Sequence, residues 1–179
     1  MNTIQEKIVK SSKAMATILK VVCISLIVGL AIPVAAIIWI AVDPNANVNS
    51  ASGGFYSITG LAMESTGEVI AEMCTIILIV LFMFGIFKIA YSMFKEIVKD
   101  AVPFTKTNAN SIKRIGTILI VYSIVVPIAR AGFYHTFAQT IDYRGSFDVT
   151  FVLLALIFYF ISTVFDYGAE LQRETDELL

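Results

Sequence analysis

The chain has 179 residues, of which 58% are hydrophobic and 15% are charged, and its mean hydropathy is +0.82. Soluble domains are usually about 45–50% apolar, so this composition excludes an ordinary water-soluble fold. The segments between the apolar regions are too short to fold around a hydrophobic core of their own. The sequence therefore predicts an integral membrane protein. Its four uncharged runs are Val21–Val42, Met73–Phe87, Ile115–Ala129 and Val149–Phe165.

The first run is too long for the roughly 7–15 apolar residues of a secretory signal peptide, so we interpret it as a spanning helix. The other three runs cross a hydrocarbon core of about 30 Å only if flanking charges sit at the membrane edge. The predicted fold is all-α: a single domain over residues 1–179 that forms an antiparallel four-transmembrane-helix bundle. The predicted spans are about 20–42, 69–92, 112–134 and 148–168.

Basic residues favour the cytoplasmic side of a membrane protein. Four lysines precede the first run, none lies between the first and second runs, and six basic residues lie in segment 88–114. This distribution predicts that both termini are cytoplasmic. The predicted cytoplasmic parts are a hairpin at 93–111 and an acidic tail at 169–179, and the predicted outer loops are 43–68 and 135–147.

Two prolines predict helix interruptions. Pro33 lacks the N–H that its helix would need, so a kink is expected in the first span. Pro103 ends a helix that we expect to run from Glu68 to Asp100. The candidate caps of the helix that follows are Thr105, Thr107 and Asn108.

Charges at the ends of the runs can be aligned by depth. If the second and third runs are centred on the bilayer, Glu72 and Arg130 both lie eight residues from the centre, at about 12 Å. An isolated ion is costly there, so the sequence favours a structural pair, with unpaired snorkelling side chains or a solute or ion pathway as alternatives. The residues grouped in this way as candidate intramembrane ion pairs are Glu72, Arg130, Lys88, Arg114 and Asp166.

The sequence lacks the residue patterns of catalytic and metal sites. The one histidine, His135, is expected at the outer interface, and Cys23 and Cys74 lie too far apart in depth to form a disulfide. No spacing of Cys, His or carboxylates suits zinc, and no base is placed to activate a nucleophile. We therefore expect no cofactor, no metal, no enzymatic activity and no direct binding of nucleic acid.

Two segments carry a resemblance to a known family. They are Pro-Phe-Thr-Lys-Thr-Asn at 103–108 and Gly-Ala-Glu-Leu-Gln-Arg-Glu-Thr-Asp at 168–176. They resemble the bacterial membrane-protein family catalogued as domain of unknown function 2975, which has a Pro-Phe-Thr-x-x-Asn turn before its third span and a Gly-Ala-x-Leu-x-x-x-x-Asp ending. That family has no assigned activity, and its members often sit beside a small helix-turn-helix regulator. The resemblance implies a plasma-membrane partner of such a regulator, although the long turn-rich connection after the first span departs from the family pattern.

The leading hypothesis is a non-enzymatic regulatory or scaffolding protein whose cytoplasmic hairpin and tail bind a soluble partner. Segment 88–114 carries a net charge of +4 and the tail from Asp166 carries −4, so a basic partner could compete for the tail. The alternative for the tail is a solvated helix end. Two other functions stay open: an immunity or stress-response protein, and a small transporter assembled as a homo-oligomer, which the absence of charge in the middle of every run disfavours. The candidate partner-binding residues are Lys95, Lys99, Pro103, Phe104, Asn108, Glu170, Glu174, Asp176 and Glu177.

Overall fold

The computed structural model describes residues 3–42, 65–139 and 148–177, and these residues form helices joined by short connections. The all-α class of the prediction is confirmed. The predicted outer loops fall outside the described residues at positions 43–64 and 140–147. The helices are α1 (Thr3–Gly29), α2 (Ala31–Val42), α3 (Thr66–Asp100), α4 (Lys106–Phe133), a π-helix (Tyr134–Ala138) that continues α4, and α5 (Val149–Glu177).

In the described residues, four helical stretches are long and apolar enough to cross a membrane. Large apolar side chains on them face outward: Val28 is 65% exposed, Ile128 67% and Phe160 70%. Exposure of this apolar surface to water would be unfavourable, whereas lipid tails solvate it. The helices also satisfy their own backbone hydrogen bonds, as segments in a bilayer must. The fold therefore fits a multi-pass membrane protein. The four stretches are Gln5–Val42, Thr66–Asp100, Lys106–Ala138 and Val149–Thr175.

The first stretch is interrupted where the sequence predicts a kink. Helix α1 ends at Gly29, Leu30 is in a turn, and α2 begins at Ala31. Pro33 has no N–H to donate to the Gly29 carbonyl, so the i to i−4 hydrogen-bond ladder breaks there. The Val34 N–H then donates to the Leu30 carbonyl at 3.3 Å and helical hydrogen bonding resumes.

The connection between α3 and α4 also forms where Pro103 predicts it. Helix α3 ends at Asp100, and the next residue, Ala101, has a left-handed backbone with φ of 55° while its N–H donates to the Ile97 carbonyl. Of the three candidate caps, Thr105 is the one used: its Oγ1 accepts a hydrogen bond from the Asn108 N–H at 3.1 Å. This bond satisfies one of the free amides at the start of α4.

The described chain forms two compact units. The first comprises Met1–Leu26, Phe82–Ser123 and Asp148–Leu179. Its core has two clusters of buried side chains, and Phe158 packs against both. The buried members are Met93, Ile97 and Ile112 in one cluster and Ile115, Leu119 and Ala155 in the other.

Small residues bring α4 and α5 together in the first unit. A Cβ added at Gly116 would lie 3.2 Å from the Ala155 carbonyl oxygen, so the two backbones approach closely there. About two helical turns from that contact, the buried Ser162 hydroxyl donates to the Ala109 carbonyl at 2.9 Å. Close approach at small residues and hydroxyl hydrogen bonds are the usual means by which helices associate in lipid.

The second unit comprises Ile27–Leu81 and Ile124–Phe147. Val69 and Met73 of α3 are fully buried in it. At the start of α3, a Cβ at Gly67 would overlap the Phe137 carbonyl, so this contact requires glycine. The partly buried side chains that pack on Val69 and Met73 are Ala36, Ile37, Ile40 and Ile76.

The backbone at Ala101 generates a stability prediction. A left-handed conformation costs roughly 1–2 kcal/mol for a residue with a Cβ, and glycine avoids most of that cost. We expect Ala101→Gly to raise the free energy of unfolding by about 1 kcal/mol, measured by titrating the micellar protein with SDS and following circular dichroism. The control is Ala14→Gly on an exposed position of α1, where glycine should lower stability by up to about 1 kcal/mol. Equal destabilisation by both substitutions would contradict the explanation.

Candidate functional site

Glu72, Arg130 and Tyr134 form a buried charge cluster in the second unit. An Arg130 guanidinium nitrogen, Nη2, lies 2.9 Å from Glu72 Oε2, and the Tyr134 hydroxyl donates to the same oxygen at 3.0 Å. Glu72 is only 5% exposed and Tyr134 6%. The Arg130 guanidinium also lies 5.5 Å from the centre of the Tyr134 ring, which is within cation–π range.

Local sequence explains how the cluster is assembled. Arg130 and Tyr134 are four residues apart, so a helix places them on one face. Pro127 lies inside α4 three residues before Arg130, and the helix widens to a π-helix at Tyr134. Glu72 comes from α3 beside the fully buried Met73. Because the carboxylate receives both a cation and a hydroxyl donor, the cluster is suited to holding α3 against the end of α4.

The structure does not join the other three depth-aligned residues in ion pairs. Lys88, Arg114 and Asp166 are all exposed, and none lies within 4.0 Å of an opposite charge in the described part of the chain. The Lys88 ammonium instead lies 5.8 Å from the centre of the Phe84 ring. Side chains at the ends of the apolar runs can reach water directly, so they do not need a partner.

The two segments that carry the family resemblance pack against each other in the first unit. The rings of Phe104 and Phe165 are 5.1 Å apart. A Cβ at Gly168 would lie 2.8 Å from Phe104 Cδ1, and the Lys106 ammonium lies 3.5 Å from Glu170 Oε2. We call these five residues the turn–tail contact, since Phe104 and Lys106 come from the α3–α4 turn and its exit and the others from the end of α5.

Asn108 stabilises the turn between α3 and α4 through a hydrogen bond to its backbone. Its side chain is fully buried, and its Nδ2 donates to the Pro103 carbonyl at 2.9 Å. Together with the Thr105 cap, this bond explains the spacing of the Pro-Phe-Thr-x-x-Asn motif, since each polar residue closes one part of the same turn. Sequence reasoning grouped Asn108 with the partner-binding residues, but burial removes it from contact with a soluble protein and gives it a structural place.

The acidic tail is a continuation of α5, which extends to Glu177. Arg173 contacts two of its carboxylates, Glu170 Oε1 at 2.7 Å and Glu177 Oε1 at 3.6 Å. Glu174 is exposed and pairs with no described cation, and the side chain of Asp176 lies outside the described residues. Exposed pairs of this kind contribute at most about 1 kcal/mol, so the tail stays available for other charges.

Lys95 and Lys99 are not part of the turn–tail contact. Both are exposed on α3. Lys95 lines a groove together with Lys13 and Lys20 of α1. The structure thus separates Lys95 and Lys99 from the turn and the tail, and of these two lysines Lys95, but not Lys99, lines the groove.

The described ranges contain no cluster of side chains that could hold a metal ion. Within residues 3–42, 65–139 and 148–177, no three His, Cys, Asp or Glu side chains come together as a metal site. Cys23 and Cys74 are free thiols.

A known family matches the greater part of this sequence. The family is described as "Protein of unknown function (DUF2975)", and the match covers residues 63–178. The chain belongs to this family. The matched region contains the buried charge cluster and the turn–tail contact, whereas α1 and α2 lie outside it. No curated protein and no solved structure matches the chain.

The buried charge cluster predicts strong coupling between Glu72 and Arg130. Breaking a buried pair leaves an uncompensated charge, so we expect Glu72→Gln to lower the free energy of unfolding by about 3 kcal/mol. Glu72→Gln combined with Arg130→Gln should recover most of that loss, because no ion is then left behind. Tyr134→Phe should cost about 1–2 kcal/mol through one lost hydrogen bond to a charged group.

The double-mutant cycle is measured by SDS titration in micelles with circular dichroism. Asp166→Asn is the matched control, since it makes an acid-to-amide change at an exposed carboxylate and should stay within about 0.5 kcal/mol of the wild type. Additive losses from Glu72→Gln and Arg130→Gln would show that the two side chains do not stabilise each other.

Proposed function

We propose that this chain is a non-enzymatic regulatory or scaffolding protein of the bacterial plasma membrane that binds a soluble cytoplasmic partner at the turn–tail contact. The observation that carries the proposal is the packing of Phe104 on Phe165 and Gly168. The two most specific segments of the sequence thereby form one continuous surface although they are far apart along the chain. A turn and a tail that were merely solvated would not need this contact.

Apolar and acidic side chains are presented together at this surface. Phe104 remains 41% exposed, and the neighbouring positions of α5, Tyr167 and Leu171, are 66% and 45% exposed. Exposed aromatic and aliphatic groups next to carboxylates favour a protein partner with a basic, partly apolar face. Glu174 adds an exposed carboxylate that could steer such a partner.

A small helix-turn-helix regulator is the proposed partner. A DNA-binding protein carries a basic surface, which complements the acidic end of α5. If the acidic tail occupied the basic surface of the regulator, the regulator would be held at the membrane and away from DNA. The family resemblance supports this class of partner because members often sit beside such a regulator.

The proposed topology is an antiparallel four-helix bundle with both termini in the cytoplasm. Four lysines before the first run and six basic residues in segment 88–114 support it. The four candidate spans of the described residues also support it, because an even number of crossings would return the chain to the side on which it starts. The turn–tail contact would then face the compartment that contains DNA-binding proteins.

We expect the turn–tail contact to determine partner binding. The tagged chain in nanodiscs is titrated with a purified small helix-turn-helix regulator, and binding is measured by biolayer interferometry. Gly168→Ala places a Cβ 2.8 Å from Phe104 Cδ1, so the ring must move and affinity should fall about tenfold, a loss typical of a disturbed aromatic anchor. Glu174→Lys should reduce the association rate mainly, with a stronger effect at low salt.

Glu6→Lys is the matched charge control, because Glu6 is exposed on α1 and makes the same change in net charge. It should leave the affinity within about twofold of the wild type, the change expected of a residue outside the interface. Unchanged affinity in Gly168→Ala and in a chain lacking residues 169–179 would rule out this surface.

The topology predicts which positions react with a reagent added outside the cell. In a background with both cysteines replaced by serine, Gln139→Cys should react with a membrane-impermeant maleimide in spheroplasts. Lys106→Cys, at another exposed position, should react only after the membrane is permeabilised. The reverse labelling pattern would invert the proposed orientation.

A further inference from the structure

A basic groove lies between α1 and α3 in the first unit. It has a volume of about 140 Å³. Helix α1 runs without interruption from Thr3 to Gly29, so the amino-terminal lysines stand on the same rigid helix as the first apolar run. The spacing of the lining residues along each helix, three to four positions, puts each set on one face. The groove is lined by Lys13, Ala16, Thr17 and Lys20 from α1 and by Tyr91, Lys95 and Val98 from α3.

The charges of this groove lack a counter-charge in the described part of the chain. Lys13, Lys20 and Lys95 line it together, and no described carboxylate does so. None of the three forms an ion pair within 4.0 Å with a described residue. Three lysines that line one small volume concentrate positive charge there, so an anion bound in the groove is favoured.

The donors of the groove suit a group with several oxygen atoms. The three ammonium groups each carry three N–H donors, and Tyr91 adds a hydroxyl that donates to no described residue. Thr17 Oγ1 already donates to the Lys13 carbonyl at 2.9 Å, so its proton is committed. Point charges of the lysine type bind phosphate. The volume of 140 Å³ admits a phosphate group, since one water molecule takes about 30 Å³ in the liquid.

The groove begins where the apolar runs end. Lys20 directly precedes the first run, which starts at Val21, and Tyr91 comes one helical turn after the second run ends at Phe87. The headgroup layer adds roughly 5–7 Å to each side of the hydrocarbon core, or about four residues of helix. Lys20, Thr17 and Tyr91 therefore fall at the depth of lipid phosphates. Lys13 and Lys95 lie one helical turn further from the hydrocarbon, and their long side chains can reach back to that depth. One turn further into the apolar run, Ile24 is 52% exposed and offers an acyl chain an apolar surface.

We propose that the groove between α1 and α3 binds the phosphate headgroup of an anionic phospholipid. Lys13, Lys20 and Lys95 supply the charge, Tyr91 supplies a hydroxyl donor, and the exposed apolar surface at Ile24 contacts the acyl chain. The site is independent of the turn–tail contact and of which side of the membrane it faces.

The test compares lipids of equal chain length that differ in charge. The purified full chain in a neutral detergent is titrated with phosphatidylglycerol and, separately, with phosphatidylcholine, and bound lipid is counted by native mass spectrometry. One phosphatidylglycerol should remain bound under conditions that remove phosphatidylcholine. Each lysine near an anionic surface contributes about fivefold to affinity, so Lys13→Gln, Lys20→Gln and Lys95→Gln together should weaken phosphatidylglycerol binding by about a hundredfold.

The matched control removes three charges from the same two helices outside the groove. It combines Lys7→Gln, Lys10→Gln and Lys99→Gln, and it should change the affinity by no more than about fivefold. An equal loss in the control would assign binding to overall charge and overturn the proposed site. Equal retention of phosphatidylglycerol and phosphatidylcholine by the wild type would overturn it as well.

Two further arms separate the remaining outcomes. Inorganic phosphate that displaces phosphatidylglycerol at matched concentrations would assign the groove to a free anion and overturn the lipid proposal. If the triple variant has lost its helical circular dichroism, the single substitution Lys95→Gln is used to test phosphatidylglycerol binding at the groove. It should weaken phosphatidylglycerol binding about fivefold, and unchanged affinity would count against the site.

Discussion

The hydrocarbon core offers polar groups no water, and this constraint determines how the described helices carry their polar residues. Two buried hydroxyls within the apolar stretches find acceptors on their own helix: Thr75 donates to the Ala71 carbonyl and Ser123 to the Ile120 carbonyl, each at 2.8 Å. Glu72 cannot do this within one helix, so it takes its partners from α4. A charge that would be unfavourable alone thereby becomes a specific connection between two helices.

The same constraint concentrates the features with functional potential at the ends of the helices. The turn–tail contact lies at the junction of α3 and α4 and at the end of α5, and the basic groove lies beside the start of the first apolar run and the end of the second. Aromatic, acidic and basic groups can all be exposed there without entering hydrocarbon. The family match includes α3, α4 and all of α5 but not α1. Four of the seven residues that line the basic groove, namely Lys13, Ala16, Thr17 and Lys20, therefore come from outside the matched region.

Much of the fold could be predicted from the sequence because it depends on local chemistry. The end of α3 at Asp100 follows from Pro103, and the break at Leu30 follows from Pro33, since a missing N–H acts on its own helix. The Thr105 cap was one of three candidates, and only the backbone geometry selects among them. Depth counting put Glu72 and Arg130 at one level, and the structure places them 2.9 Å apart. Depth counting also put Lys88 and Arg114 at one level, but both side chains are exposed and need no partner.

Composition and periodicity by themselves determined that the described part of the chain is helical and contains four stretches able to cross a membrane, since hydropathy and proline act along the chain. Only the tertiary structure decided which distant residues meet. Phe104 lies on Gly168 because the missing side chain leaves room for a ring, and Asn108 is buried because its amide closes the turn at Pro103. The hydrogen bond from Tyr134 to the buried carboxylate and the meeting of Lys13 and Lys20 with Lys95 likewise depend on how helices pack. Packing depends on how the surfaces of two helices fit together, and patterns along a single sequence do not show which surfaces meet.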